Sequence, residues 1–284
     1  MRKPKTFPGT AYLFFVRTFA LTLLAAVSLS GQDPLEIVRH SVERDWTDFE
    51  VRKDYLYQQH REFREYAKDG SVGSRRSETK EIVIVSGRPF ERLIARNDQP
   101  LVDKEARREQ QRFDREVAAW QHQSAADRIK SQKERAEDRK FIRELPDAFV
   151  FRLLGAENVS GQPAWIIEAE PKPGYRPVEA RARLFTKVRA KVWIEQATYH
   201  WVKMDAEALD TLTFGFGLLR VAPGGALHFE QVKVNGEIWL PSRVLIHADA
   251  RLALIKKLRA EIDIHYSDYR KFQSDSQILE AREN

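Results

Sequence analysis

Apolar and polar side chains alternate over most of the chain between residues 182 and 272. A repeat of two residues places one set of side chains on the dry face of a β-strand and the other set on its wet face. The turn pair Asn235-Gly236 separates two of the alternating runs, as expected for a hairpin. The runs are 187–195, 200–206, 227–234, 244–252 and 258–266. This stretch predicts a large curved antiparallel sheet.

Eight apolar side chains of this stretch are expected to lie on the dry faces of neighbouring strands and to form one continuous patch. They are Val192, Ile194, Val202, Met204, Val244, Ile246, Ile262 and Ile264. In a ligand-binding protein such a patch lines an apolar cavity. In other proteins the same pattern is a packed core, and the residues alone leave both interpretations open.

The chain before residue 182 predicts elements that lie against this sheet. The segment Asp33–Glu36 has the residue types of a helix start, with a capping Asp, a Pro at the first helical position and a Glu three residues after the Asp. Apolar residues then recur at three- and four-residue steps, at Leu35, Val38, Val42 and Trp46. This helix either packs on the sheet or closes over a ligand cavity. Further strands are predicted at 55–66, 80–85, 90–96, 148–154 and 164–168.

The segment Val102–Glu144 contains no Gly or Pro and is rich in charges of both signs. It predicts one or two helices with a largely solvent-exposed surface. Two thin apolar stripes consist of Phe113, Val117 and Trp120, and of Ala125 and Ile129. We expect this section to protrude from the sheet, where it forms a solvated surface, a flap over one end of the sheet or a surface for a partner.

The N-terminal segment has the layout of a secretory signal peptide. Basic residues without any acid precede an apolar run at 18–27, and the small residues Ser28 and Ser30 follow it. An uncleaved anchor is the alternative, although the run is short for a bilayer span of roughly 20 residues. The sequence therefore predicts a signal peptide over 1–30, cleaved near Gly31, and no membrane span in the mature chain. The expected protein is periplasmic or secreted, with 31–284 as one domain that contains 102–144 as an inserted helical section.

Charge and composition exclude several function classes. The net charge is +6, and residues 1–30 carry four of those positive charges, so nucleic-acid binding is not indicated for the remainder. The chain has no Cys, which excludes disulfides, a lipid-modified N-terminal Cys and a Cys nucleophile. It also lacks the Gly-x-Ser-x-Gly, Gly-rich phosphate-loop and His-Glu-x-x-His motifs. We therefore expect neither an enzyme nor a cofactor.

The register of the last predicted hairpin determines whether His247 and His265 face each other across the two strands. If residues 255–257 form the turn of the last hairpin, His247 lies opposite His265, and Asp249 lies opposite Asp263. Zinc normally needs three or four protein ligands, and two imidazoles do not supply them. The sequence thus predicts two solvated histidines on the wet face and no metal site.

The order of elements resembles that of the LolA/LolB-like lipoprotein-carrier superfamily, which includes RseB-like periplasmic regulators. The local similarity lies in Ala190–Glu195 followed by Val202–Asp205, and in Glu237–Arg243 and Tyr266–Phe272. In order of elements the resemblance covers roughly residues 33–272, and its motifs describe mainly hairpins. It implies an α+β fold in which a half-open β-barrel holds acyl chains under a helical lid.

The resemblance implies a periplasmic carrier-like protein that binds a lipid or an acylated ligand such as a lipoprotein. The alternative is an envelope sensor or interaction protein of the RseB-like type, which binds a partner protein on the same fold. An enzyme is the third alternative, and only a catalytic cluster formed by folding would support it.

Overall fold

The computed structural model describes residues 32–52, 54–215, 218–252 and 256–272. The segment that we interpret as a signal peptide lies outside these residues. Within the described ranges, no helix combines the length and the apolar character that a membrane crossing requires.

In the described part of the chain, four α-helices and two 3-10 helices accompany the strands. The α-helices are α1 (Pro34–Arg52), α2 (Asp103–Gln121), α3 (Ala125–Glu137) and the single turn α4 (Leu145–Ala148). The 3-10 helices span Lys140–Glu144 and Ala180–Lys187. The prediction of an N-terminal helix and an inserted charged helical section is confirmed.

The strands form one antiparallel sheet that does not close into a barrel. They are β1 (Tyr55–Tyr66), β2 (Val72–Val85), β3 (Arg88–Arg96), β4 (Gln99–Pro100), β5 (Phe149–Val159), β6 (Gln162–Pro171), β7 (Val188–Glu195), β8 (Trp201–Ala208), β9 (Leu212–Phe214), β10 (Leu219–Val221), β11 (Ala226–Val234), β12 (Ile238–Leu252) and β13 (Lys256–Lys271). Their order is β4-β3-β2-β1-β13-β12-β11-β8-β7-β6-β5, with β10 pairing with β12 and β9 at the side. The predicted fold class, α+β with a large open antiparallel sheet, is confirmed.

Helix α1 begins as its sequence predicts, and two residues of its predicted stripe contribute to the core: Val38 is buried, and Val42 packs against the same buried cluster. The Asp33 carboxylate accepts a hydrogen bond of 2.9 Å from the Leu35 amide. Glu36 does not reach back to cap the helix and instead pairs with Arg39 at 2.6 Å. The buried side of α1 contains the apolar pair Ile37 and Val38, followed by the polar residues Ser41, Asp45 and Asp48. The helix is therefore held by hydrophobic packing at its start and by polar contacts further along.

The inserted section divides into a packed helix and an exposed one. In α2, Phe113 contacts Phe90 of β3 with ring centroids 6.2 Å apart, and Trp120 is buried. The Leu93 amide donates a hydrogen bond of 2.8 Å to Glu109 of the same helix. In α3, by contrast, Ile129 is 65% exposed. The first apolar stripe thus packs α2 onto β3, and the second stripe stays in solvent.

The register of the last hairpin differs from the one calculated from the sequence. His247 lies opposite Glu261 and not opposite His265, and Asp249 lies opposite Arg259 and not opposite Asp263. The calculated register would have paired two like charges across the strands, which is unfavourable, whereas the observed one pairs opposite charges. Both registers keep the apolar side chains on the same face, so the alternation alone does not distinguish them.

Candidate functional site

Two rows of paired side chains cross the sheet on one side, which we call the apolar face. The first row, read from β5 to β13, is Leu153, Ile167, Val192, Met204, Phe229, Val244 and Ile264. The second row, read from β5 to β1, is Phe151, Ala169, Ala190, Ala206, Leu227, Ile246, Ile262 and Phe63. Directly opposed residues of antiparallel strands project from the same face, so each row is a continuous line of apolar contacts.

Helices cover the β5–β7 end of both rows. Ile37 and Val38 of α1 form a buried cluster with Trp165, Ile167 and Ile194. A second buried cluster joins Phe149 and Ala169 to Phe185 of the 3-10 helix at 180–187. This end of the apolar face is therefore ordinary core.

The middle of the apolar face keeps part of its surface accessible. Its side chains are half-buried, whereas Ile167 at the covered end is fully buried. Five of these half-buried residues lie on successive strands of the sheet, and we call them the open strip. They are Met204, Phe229, Val244, Ile246 and Ile262. A continuous accessible apolar surface of this kind is typical of a binding site.

The structure brings together most of the residues expected in the patch. Six of them belong to the two rows: Val192, Met204, Val244, Ile246, Ile262 and Ile264. Ile194 is on the same face but lies beneath α1. The rows also contain residues that were not expected in the patch, and Leu227 and Phe229 of β11 are two of them. Their strand and its hairpin with β12 were predicted from the alternation and the Asn235-Gly236 turn, but the sequence does not show its pairing with β8.

Val202 lies on the other face of the sheet. A β-bulge on β7 and β8 pairs Trp193 with Lys203 and the next residue, Ile194, with Trp201. The extra residue shifts the alternation by one position, so Val202 packs with Trp193 and Trp239 in a separate buried cluster. It is fully buried there. The expected alternation is therefore interrupted at this residue.

Trp201 connects the open strip to α1. Its indole ring stacks on Phe229 with centroids 5.5 Å apart and an interplanar angle of 29°. Its Nε1–H donates a hydrogen bond of 3.2 Å to the Asp45 carboxylate on α1. Asp45 also pairs with Arg52 at 2.8 Å and with Arg139, which precedes the first 3-10 helix. One buried carboxylate thus joins α1, the inserted section and the apolar face.

A second polar connection holds α1 to the turn between β7 and β8. Asp48 pairs with His200 Nε2, His200 Nδ1 lies 2.5 Å from the Thr198 hydroxyl, and that hydroxyl contacts Glu195. Burial lowers the pKa of His200, an effect that the Asp48 carboxylate opposes. An acid–histidine–hydroxyl chain is also a catalytic arrangement, but His200 is only 3% exposed and Glu195 is fully buried. At this degree of burial the chain of contacts ties α1 to the turn between β7 and β8.

Three tyrosines lie beyond the open strip, towards the start of β1. Tyr57 contacts Tyr266 and Tyr269 with ring centroids 5.8 and 5.4 Å apart. Burial, together with the neighbouring phenol of Tyr266, raises the pKa of Tyr57 to about 12. Burial also raises the pKa of Tyr269, whose hydroxyl donates a hydrogen bond to the Pro241 carbonyl. The raised pKa values keep the phenols of Tyr57 and Tyr269 neutral at physiological pH, so these two side chains add no charge to the apolar face.

The other side of the sheet, which we call the polar face, has a different character. A cavity of about 470 Å³ lies on it, and its lining from β6 to β12 combines charged side chains such as Lys191 and Asp205 with apolar ones such as Leu245. Several of these charges are paired with one another, as in Arg189–Glu207 at 2.8 Å and His228–Asp205. Across the described part of the chain, no group of three or more His, Asp or Glu side chains is placed to hold a metal ion. An acyl chain in this cavity would lie beside these charged groups, whereas the open strip consists of apolar side chains alone.

Comparison with known proteins gives matches among solved structures alone. No protein-family model and no curated protein matches the chain. A DUF1329 family protein from Desulfovibrio piger is 15% identical, with a TM-score of 0.32 over 86% of this chain and 99% of that one. A LolA superfamily protein from Nitrosomonas europaea is 11% identical, with a TM-score of 0.29 over 87% and 97%.

The MucA/MucB complex of Pseudomonas aeruginosa contains a chain that is 9% identical, with a TM-score of 0.24 over 86% of this chain and 100% of that one. The superfamily that the sequence resembles is thus among the solved structures that are similar to this chain.

Proposed function

We propose that this protein binds the acyl chain of a lipid or of an acylated ligand on its apolar face, as a carrier-like protein. The observation that supports the proposal is the open strip. Its half-buried apolar side chains lie on successive strands, at the point where the covering by α1 and the 3-10 helix ends. A packed core would bury these side chains as completely as it buries Ile167.

The dimensions of the open strip suit one extended hydrocarbon chain. The strip crosses the four strands β8, β11, β12 and β13, and neighbouring strands are about 4.8 Å apart, which gives roughly 14 Å. A long acyl chain spans this distance when extended. Each methylene that it buries contributes about 0.8 kcal/mol, so contact area alone supplies useful affinity.

The setting that we propose for this activity is the periplasm. The proposal relies on the N-terminal segment, with its basic start, its apolar run and the small residues Ser28 and Ser30. An exported protein whose mature chain begins near Gly31 is the expected product. N-terminal sequencing of the exported protein tests this, and retention of residues 18–27 would contradict it.

The binding proposal is tested in two ways on the mature protein. Mass spectrometry of lipids extracted after gentle purification should find a bound amphiphile in near-stoichiometric amount. A fluorescent fatty-acid analogue should bind to the delipidated protein and be displaced by oleate. If the protein carries no lipid and binds no analogue, the acyl-binding proposal is wrong, and a sensor that binds a partner protein becomes the better hypothesis.

A further inference from the structure

The two rows of the apolar face end at arginine residues on β1 and β2. In the first row, Ile264 of β13 lies opposite Arg61 of β1. In the second row, Phe63 of β1 lies opposite Arg76 of β2. Opposed residues share a face, so both guanidinium groups belong to the side of the sheet that carries the open strip. The apolar rows therefore lead directly to two positive charges.

The two arginines are close to each other and to the apolar surface. Arg61 lies opposite Glu78, two residues from Arg76, so the arginines are diagonal neighbours with about 7–8 Å between their backbones. The guanidinium carbon of Arg76 lies 4.0 Å from the centre of the Phe63 ring. Both side chains are exposed. Flexible guanidinium groups at this separation reach one shared anion.

Neither arginine has a carboxylate partner within the described residues. Two other arginines of the same strands, on the polar face, are fully paired. Arg64 contacts Glu62 and Glu261, and Arg75 contacts Glu62 and, at 3.1 Å, Asp98. Among the described residues, each strand carries one paired and one unpaired arginine: Arg64 and Arg61 on β1, and Arg75 and Arg76 on β2. Neither the residue type nor the strand therefore explains why only one of the two is paired. The unpaired arginines are those on the apolar face, where their positive charges can bind an anionic ligand.

Other charged groups near the two arginines have contacts of their own. Glu78, which lies opposite Arg61, is 3.8 Å from Arg96. Lys80 pairs with Glu91 at 2.6 Å. Glu65, on the same face of β1, has an electrostatic or hydrogen-bonding partner as well. Within the described residues these neighbours therefore have ion-pair or other partners, whereas Arg61 and Arg76 make no ion pair.

From this arrangement, and resting on the proposed function, we propose that Arg61 and Arg76 bind the anionic head group of the amphiphile whose acyl chain occupies the open strip. The ligand class is a long-chain amphiphile with a carboxylate or phosphate head, and not a free anion. Guanidinium groups donate paired hydrogen bonds to either anion, and the stacking of Arg76 on Phe63 pre-orients one of them. Charge complementarity at one end of the strip also sets the direction in which the chain lies.

The test compares two probes with the same acyl chain and different heads: oleate, which is anionic, and monoolein, which is uncharged. Dissociation constants are measured for the wild-type mature protein and for the double variant Arg61→Gln/Arg76→Gln. The matched control is Arg108→Gln, an exposed position on α2 that is far along the chain from the strip. All variants are exposed substitutions, and thermal unfolding confirms that they fold.

We expect the double variant to bind oleate about tenfold more weakly, since a charge-assisted hydrogen bond of this kind contributes that much affinity. Its affinity for monoolein, and the affinity of Arg108→Gln for both probes, should stay within about twofold of the wild type. Millimolar inorganic phosphate should not displace oleate, because a free anion lacks the chain.

Three results would overturn the inference. If the double variant lost affinity equally for oleate and monoolein, the arginines would contribute to packing and not to head-group binding. If its affinity for oleate were unchanged, a head-group role would be excluded. Displacement of oleate by inorganic phosphate would indicate a free-anion site. In these cases the binding of monoolein by the wild type would still support the proposed function. If the wild type binds neither probe, the proposed function fails, and this inference fails with it.

Discussion

Trp201 stacks on Phe229 with its ring centroid 5.5 Å away, and the same indole donates its N–H to Asp45 of α1. Trp201 thus connects α1, which covers one end of the apolar face, to Phe229 of the open strip. The position of α1 and the shape of the open strip are therefore coupled through one side chain.

Replacement of Asp45 should destabilise the whole protein. Asp45→Ala leaves Arg52 and Arg139 without their shared carboxylate in a buried environment, and Asp45 itself is only 4% exposed. Breaking a buried pair of this kind costs about 3 kcal/mol. Urea denaturation measures the loss as a decrease in the midpoint.

Glu36→Ala is the matched control on the same helix. Its ion pair with Arg39 is exposed on both sides, so the change should cost less than about 1 kcal/mol. Equal losses for the two variants would show that Asp45 does not hold α1 in place.

Substitutions at two residues of β8 should have different effects, one mainly on stability and the other mainly on ligand affinity. Val202 is fully buried with Trp193 and Trp239, whereas Met204 is half-buried in the open strip. Val202→Ala should lower the free energy of unfolding by roughly 2 kcal/mol and leave the affinity for a fatty-acid analogue unchanged. Met204→Ala should lower that affinity with a smaller effect on stability. If Val202→Ala also weakens binding, the division of β8 between two faces is wrong.

Acid should weaken the β12–β13 hairpin through Asp263. Arg243 donates hydrogen bonds of 3.0 and 2.8 Å to this carboxylate, and they hold the pKa of Asp263 below its ordinary value. The folded state then binds its proton less readily than the unfolded state, so the stabilisation is present above about pH 4 and is lost as the pH falls through the folded-state pKa. Asp263→Asn should cost about 1–2 kcal/mol at pH 7, with allowance for the partly exposed arginine.

Urea denaturation of both proteins at several pH values checks this prediction. The difference in free energy of unfolding between wild type and Asp263→Asn should shrink as the pH falls from 6 towards 2. A difference that does not depend on pH would show that the ion pair contributes nothing to the acid response.

A carboxylate in the open strip should abolish binding without unfolding the protein. Ile246 is half-buried, so in Ile246→Glu the new carboxylate reaches water, while its charge makes the strip unsuitable for an acyl chain. Val150→Glu is the control, because Val150 is 53% exposed on the edge strand β5. Binding of the fluorescent fatty-acid analogue and thermal unfolding are measured for both. Outright unfolding of Ile246→Glu would indicate a packed core at this position.

Local patterns predicted the individual strands well. The bounds of β1 agree with the predicted 55–66, and β7 begins within one residue of the predicted 187–195, because their alternation is long and is bounded by turn residues. The Asp33 cap of α1 was predicted from the residue types at the start of the helix, which are also close neighbours in the sequence. These features depend on side chains a few residues apart, and the sequence shows such neighbours directly.

Contacts between distant strands were not predictable. Strand β11 pairs with β8, and β1 pairs with β13, so Phe229 meets Met204 and Arg61 meets Ile264 through pairings that no local pattern encodes. The bulge near Trp193 moved Val202 to the other face, since one extra residue reverses the alternation. Asp45 was overlooked because a charged residue on a helix is usually solvated, and its partners Arg139 and Trp201 lie far along the chain.

The most direct test of acyl binding is photo-cross-linking with a fatty acid that carries a diazirine in its chain. After irradiation of the mature protein with a stoichiometric amount of this probe, mass spectrometry of peptides locates the label. We predict labels on the open strip, at Met204, Phe229, Ile246 and Ile262, and their loss when excess oleate competes. Labels confined to the polar face, around Lys191 and His228, or the absence of any label that oleate displaces, would contradict the account.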